Sequence, residues 1–281
     1  MSELHFDRMP PMGLHRAVLG RKPGLKAGQQ VPPLSAEVRG VDASGVEPYA
    51  RLCGFPTFDP LPLTWPQVLA GPLHLAMFTH RSTPIPALGM VHVFSRIEQR
   101  APLPRRQPLD LRCAWAEQRP AKQGVELDLV TEATVDGAVA WRSVTTVLSR
   151  AAPKDPELPG RGDGAPPEAL SRSVGWRLGG DLGRRYASVS GDYNPIHLYP
   201  VTAKLFGFQR HIIHGMWTLA RALAELHDEL PREEVSVECT FRRPVTLPNS
   251  VLFSSGPQGQ GLGFRVTSPG SGKVRLWGVV G

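Results

Sequence analysis

The sequence predicts an α+β protein made of two similar units in one chain. Each half carries one helical apolar stripe followed by several strand-like runs of period two. A segment dense in Pro, Gly and charge, residues 151–167 (AAPKDPELPGRGDGAPP), separates the halves. The length, 281 residues, also exceeds what one ordinary core of roughly 100–200 residues requires. A helix lying across an antiparallel sheet is the simplest way to bury such a stripe, and two such units form a pseudo-dimer.

Residues 1–34 are rich in Gly, Pro and basic side chains and read as an extended N-terminal arm with little structure of its own. The first unit then occupies 35–150. Leu34–Val41 has the pattern of a strand and Pro48–Cys53 of a short helix. Leu63–Phe78 is the long helix of this unit, with Thr64 as N-cap and Pro66 in the first turn. Leu69, Leu73 and Ala76 form its stripe, and Gly71-Pro72 puts a kink within it. Strands follow at Met90–Phe94, Leu109–Trp115 and Val125–Thr131. Val135–Val139 reads as a hairpin turn, and Ala140–Leu148 returns from it.

The second unit, 168–281, repeats the order. Gly175–Arg177 belongs to an early strand, and Arg185–Val189 leads into a polar turn. A helix spans Gly215–His227 with Met216, Leu219, Ala220, Leu223 and Ala224 at i, i+3, i+4, i+7 and i+8. Strands close the chain at Val235–Arg242, Ser250–Ser254, Gly263–Thr267 and Val274–Val280. Little residue identity links the halves, so the repetition is one of architecture.

Composition excludes several classes. Apolar residues at 41% and charged residues at 20% describe a globular chain rather than a disordered one. The net charge of +7 favours anionic partners. Its densest groups are only the pairs Arg105-Arg106, Arg184-Arg185 and Arg242-Arg243, without zinc-finger or RNA-binding spacing, which argues against nucleic acid. Cys53, Cys113 and Cys239 are few, odd in number and far apart, as in a reducing compartment. The N-terminus lacks an apolar signal region, and no apolar run reaches the ~18 residues of a membrane span. A cytoplasmic protein without a membrane partner is expected.

The informative stretch is Tyr186–His197, YASVSGDYNPIH. Gly191 permits a sharp turn, Asn194-Pro195 has the form of an N-cap followed by the first helical residue, and Pro200 holds Tyr199 extended. A second short helix, 200–206, can stop at Gly207. Asp192 and His197 thus flank a tight turn, where a carboxylate and an imidazole can reach one water. The local chemistry leaves two readings open: a paired acid and base, or an Asx-turn with an incidental histidine.

From Tyr186 to Ala203 the chain resembles the signature of the MaoC-like, or hydratase-2, family. Its pattern is met by Tyr186, Val189, Ser190, Gly191, Asp192, Asn194, Pro195, Ile196, His197 and Ala203. The helix-then-strands order also resembles that family's hotdog fold, here a double hotdog. Phe241–Val245 is similar to a strand-entry segment of its members. The resemblance implies a hydro-lyase of fatty acyl metabolism that interconverts trans-2-enoyl and (R)-3-hydroxyacyl thioesters. His197 would activate the water that attacks the β-carbon, and Asp192 would orient it and supply the α-carbon's proton. Coenzyme A or acyl carrier protein would carry the substrate, and no other cofactor is implied.

A thioester enolate needs hydrogen-bond donors, and the N–H of Gly215 at a helix start is the expected one, with glycine allowing a ligand close approach. A plain capping glycine is the alternative. Asn194 and Arg243 are the expected substrate contacts; Arg242 or Arg243 could meet carrier phosphates or be ordinary surface residues. His211 and His214 lie three apart, but further ligands are lacking, so no metal is expected. His214 is placed near the active turn and His211 at the surface.

The first unit lacks the Gly-Asp-x-Asn-Pro-x-His motif and is therefore expected to be a degenerate partner. Its Trp65, Leu73, Met77 and Phe78 could line an acyl pocket or belong to the core. A hotdog thioesterase and a non-catalytic acyl-binding subunit are the competing functions. Further assembly, as a homodimer, is left open.

Overall fold

The computed structural model describes residues 2–12 and 22–281. Eleven strands form one sheet: β1 Ser2–Phe6, β2 Leu34–Val41, β3 Val91–Gln99, β4 Leu109–Ala121, β5 Gly124–Val135, β6 Ala138–Ser149, β7 Arg172–Leu178, β8 Val235–Phe241, β9 Asn249–Gln258, β10 Gly261–Thr267 and β11 Val274–Val280. Their spatial order is β1-β2-β4-β5-β6-β3-β8-β11-β10-β9-β7. Read outward from the centre, 3-6-5-4-2 on one side matches 8-11-10-9-7 on the other. The halves are thus two copies of one five-stranded pattern, a double hotdog, joined where β3 meets β8.

That seam is antiparallel, from Phe94↔Thr240 to Gln99↔Val235. Ile97 faces Val237, both buried, and Arg96 donates through Nε to Glu238 Oε1 at 2.8 Å across it.

Among the described residues there are six α-helices: α1 Glu47–Cys53, α2 Trp65–Leu69, α3 Gly71–Thr79, α4 Leu182–Ser190, α5 Pro200–Lys204 and α6 Gly215–Glu225. The helix expected at 63–78 is two, α2 and α3, divided at Ala70 just before Gly71-Pro72. Thr64 precedes α2 but makes no capping bond, because its hydroxyl pairs with the buried Tyr49 hydroxyl at 2.7 Å. The core runs through both units. Trp176 stacks on Phe253 and meets Trp217 of α6 edge-on, while Tyr49 lies against Trp65 and Tyr186.

Three features differ from the sequence expectation. Ser2–Phe6 of the arm is a strand that pairs in parallel with β2, Ser2↔Leu34 through Phe6↔Val38. The rest of the arm's middle, 13–21, lies outside the described residues. Residues 182–190 are a helix; Leu182, Gly183, Tyr186 and Ala187 are buried at helical spacing, but glycine and alanine at two of those positions give a faint apolar signal.

The third difference is the connection at 151–167, which is docked. Glu126 and Asp128 of β5 are almost fully buried and hold it there. Arg119 pairs with Glu126 at 3.1 Å and with Asp128 at 2.6 Å. Arg161 reaches Asp128 at 3.2 Å, and its backbone N–H donates to Glu126 at 3.1 Å. Asp163 in turn binds Arg242 at 2.9 Å. Polar anchoring of this kind leaves no hydrophobic trace in the segment itself.

Breaking a buried ion pair leaves its partner uncompensated, at roughly 3–5 kcal/mol when both are dry. Arg119 keeps a quarter of its side chain exposed. Asp128→Ala is therefore expected to cost about 2–3 kcal/mol. Denaturant unfolding measures this, and limited proteolysis should show faster cleavage within 151–167.

Candidate active site

The loop after α4 is shaped by its own side chains. Gly191 ends α4 in the left-handed conformation (φ 75°), where a Cβ would be strained, and its N–H donates to Ala187 O at 2.9 Å. Ser190 Oγ accepts from the Asp192 N–H at 3.2 Å, and Asp192 Oδ1 accepts from the Asn194 N–H at 3.1 Å. Asn194 caps the 3₁₀ turn Pro195–His197 through its Oδ1. Gly183 of α4 lets the loop pack closely, since a Cβ there would stand 2.1 Å from His197 O. The Asx-turn is present, and it sets Asp192 and His197 on the wall of one cavity.

His197 is buried, and its Nδ1 donates to Ile212 O at 2.8 Å. That bond selects the tautomer whose Nε2 carries the lone pair, so the imidazole presents a base to the cavity. His214 is buried beside it, the two rings stacked with centroids 3.7 Å apart. His214 Nε2 donates to the backbone O of Asp192 at 2.9 Å, and its Nδ1 has no partner among the described residues. The Asp192 side chain keeps half its surface open.

Burial acts against charge at all three groups. It lowers the pKa of His197, with Asp192 opposing, and lowers that of His214 to about 3, helped by His197. Burial would raise Asp192, but His214, His197 and the Asn194 N–H outweigh it, so its pKa lies below the ordinary carboxylate value. At neutral pH the pair is a carboxylate and a neutral imidazole.

Asp192, His197 and His214 place potential ligand atoms within 4.8 Å of one another. Stacked rings, however, hold their in-plane lone pairs side by side rather than converging on one ion. The ring nitrogen of His214 nearest Asp192 is also committed to a carbonyl. His211 is not at the surface as expected. It is buried and bonds Gly180 O at 2.7 Å, so His211 and His214 serve different loops.

These groups open into a cavity of ≈ 590 Å³ formed by both units. Gly215 begins α6 on its wall, with no side-chain cap on the first-turn N–H groups. Packing gives its own reason for glycine here: a Cβ would lie 2.9 Å from the ring of Phe241, which itself packs on His92. From the first unit, Gln67, His74, Leu75 and Phe78 face the cavity. Trp65, Leu73 and Met77 do not; they point to the opposite side of α2 and α3, into the core. Asn194, Arg243 and Arg275 line the cavity as well, whereas Arg242, which also borders it, is tied to Asp163. Sequence reasoning assigned no role to Gly183 or to the ring stacking of His214, since both depend on contacts between separate segments.

Fold and site together define a double hotdog whose cavity, bordered by both units, holds the Asp192 carboxylate beside the buried His197 imidazole. Comparison with known proteins gives the family. Residues 170–268 match the model of the MaoC like domain. The chain is 32% identical to the 3-hydroxyacyl-thioester dehydratase X of Mycobacterium tuberculosis, covering 92% of this chain and 95% of that one. The crystal structure of that dehydratase superposes with a TM-score of 0.75, over 89% of this chain and 99% of that one at 30% identity. A MaoC-like dehydratase from Phytophthora capsici, at 16% identity, shares the fold with a TM-score of 0.67 over 89% of this chain and 95% of its own. The chain belongs to the MaoC-like dehydratase family.

Two outcomes are expected. Gly215→Ala should lose about 1–3 kcal/mol by overpacking against Phe241, with stability partly restored by adding Phe241→Leu; thermal unfolding of both variants checks this. With His197 and Asp192 both lowered, the working pair persists as pH falls, so the acid limb of the pH–rate profile should lie below the ordinary histidine value of about 6.5.

Proposed function

We propose that the protein is a hydro-lyase that interconverts trans-2-enoyl and (R)-3-hydroxyacyl thioesters. The observation that carries this reading is the buried His197 imidazole, its Nδ1 bonded to the Ile212 carbonyl, lining one cavity with the Asp192 carboxylate and the start of an uncapped helix. Two proton handlers in different states, next to oxyanion donors, are what addition of water to a conjugated thioester requires.

In hydration, a water held between Asp192 and His197 attacks C3. Its oxygen bonds to C3, and one of its protons goes to His197 Nε2. The C2–C3 π electrons move toward the thioester, whose oxygen carries the negative charge at the Gly215 N–H. C2 is then protonated. Asp192 holds no proton of its own at neutrality, so it acts as a relay: it receives the proton taken by His197 and passes it to C2. Both groups end as they began, and one water has been added. Dehydration runs the same steps in reverse.

The carrier end of the thioester fits the cationic mouth of the cavity. Arg243 and Arg275 are adjacent there; burial, and then the charge of Arg243, lower the Arg275 pKa. Lys122 and Arg150 line the same cavity. Two guanidinium groups facing each other favour an anion such as a phosphate. The acyl chain would extend toward Leu75 and Phe78 of the degenerate unit.

Turnover of trans-2-enoyl-CoA thioesters of graded length, with chiral analysis of the product, tests the proposal. The expected result is the (R)-3-hydroxyacyl thioester, with kcat reduced about 10²–10⁴-fold in a folded Asp192→Asn variant. Release of free thiol without a hydroxyacyl product would assign thioester hydrolysis instead.

A further inference from the structure

Six large hydrophobic side chains stand exposed among the described residues, and five of them fall in one short stretch: Tyr193, Tyr199, Val201, Leu205 and Phe206. Val201 and Leu205 are 68% and 81% exposed. A cluster of this kind on an otherwise charged surface marks an interaction site. It adjoins the cavity directly, because Asp192, Asn194 and Phe208, which interleave with these residues, line it. Arg184 holds Tyr199 in place, with its guanidinium 4.8 Å from the ring centroid and Nη1 donating to Leu198 O at 2.9 Å.

The segment that carries the cluster is cationic. No Asp or Glu occurs from Tyr193 to Ala224, or from Cys239 to the last residue. Arg185, Lys204 and Arg210 are exposed within or beside the apolar cluster. None of the three forms a salt bridge within 4.0 Å among the described residues. The rim cations Arg243 and Arg275 continue this field to the cavity mouth.

We propose that this face docks an acidic carrier protein, which presents the acyl group to the cavity as a thioester on its phosphopantetheine arm. The inference rests on the hydro-lyase reading and adds to it a macromolecular partner. A free coenzyme A thioester needs only the cavity and its rim, and has no use for exposed apolar side chains beyond them. A second copy of this chain would set Arg185, Lys204 and Arg210 against another cationic face, where like charges repel. An acidic surface with a few apolar side chains matches both the charge and the contact area.

The test uses one acyl group on two carriers. The trans-2-octenoyl group is offered as its CoA thioester and as the thioester of an acidic acyl carrier protein, to the parent and to Lys204→Glu, Leu205→Asp and the double variant. All the substituted residues are exposed, and melting curves verify folding. The expected result is a rise in KM for the carrier-protein thioester of about 10-fold or more in the double variant, with KM for the CoA thioester within about 2-fold of the parent. The carrier-protein KM of the parent should also rise steeply with salt.

Unchanged carrier-protein kinetics in the double variant would overturn the proposal. So would equal losses on both substrates; if these came with dissociation of an oligomer, the face would be a contact between copies. Sedimentation with phosphatidylglycerol vesicles that the variants abolish, while carrier-protein KM stays put, would assign the face to lipid and reject the carrier. A parent that hydrates neither thioester refutes the hydro-lyase reading itself, which separates that failure from a failure of docking.

Discussion

The antiparallel pairing of β3 with β8 is the contact on which the rest depends. It turns two five-stranded patterns into one sheet and sets the helices of both units on the same side. The cavity is lined from both sides of this seam, by α3 of the first unit and α6 of the second. Without that pairing, the Asp192 loop would still turn as it does, but nothing would enclose the space in front of it. The buried Ile97–Val237 pair and the Arg96–Glu238 bond supply apolar and polar complementarity to the joint.

Burial does the electrostatic preparation. His74, His92 and His214 are all driven down, to about 3, 4 and 3, chiefly by loss of solvent. Neutral rings can be packed like aromatic side chains, and they are: His214 on His197, His92 on Phe241. Each also makes a hydrogen bond that selects its tautomer or holds a loop, which offsets part of the cost of hiding a polar ring. The carboxylate of Asp192 remains ionised beside them because half of its surface stays open and the Asn194 N–H donates to it.

The first unit, which lacks the Gly-Asp-x-Asn-Pro-x-His motif, contributes shape to the cavity. Its counterpart of α6 is interrupted at Ala70 and presents Gln67, His74, Leu75 and Phe78 to the cavity. The connection between units completes the enclosure, since Gly160, Gly162 and Asp163 border the cavity once Glu126, Asp128 and Arg242 hold them. A segment whose composition suggests a free tether is thus part of the wall.

Local regularities were legible in the chain itself. Period-two runs marked most strands, the i, i+3, i+4 stripe marked α6, and the Gly-Asp-x-Asn-Pro-x-His motif marked the turn that carries Asp192 and His197, because each depends on neighbours within a few residues. The tertiary structure alone decided whatever depends on distant segments. It determined that Leu73 and Met77 pack in the core while Leu75 and Phe78 face the cavity, that Gly215 makes room for Phe241, and that His211 is buried. It also determined that buried carboxylates on β5 capture the inter-unit connection. The sequence by itself determined the two-unit α+β plan and the turn that carries Asp192 and His197, since hydrophobic period and turn chemistry are short-range. The cavity's walls, the state of its histidines and the pairing across the seam belong to the tertiary structure, because solvent exclusion and long-range contacts arise only when the two halves meet.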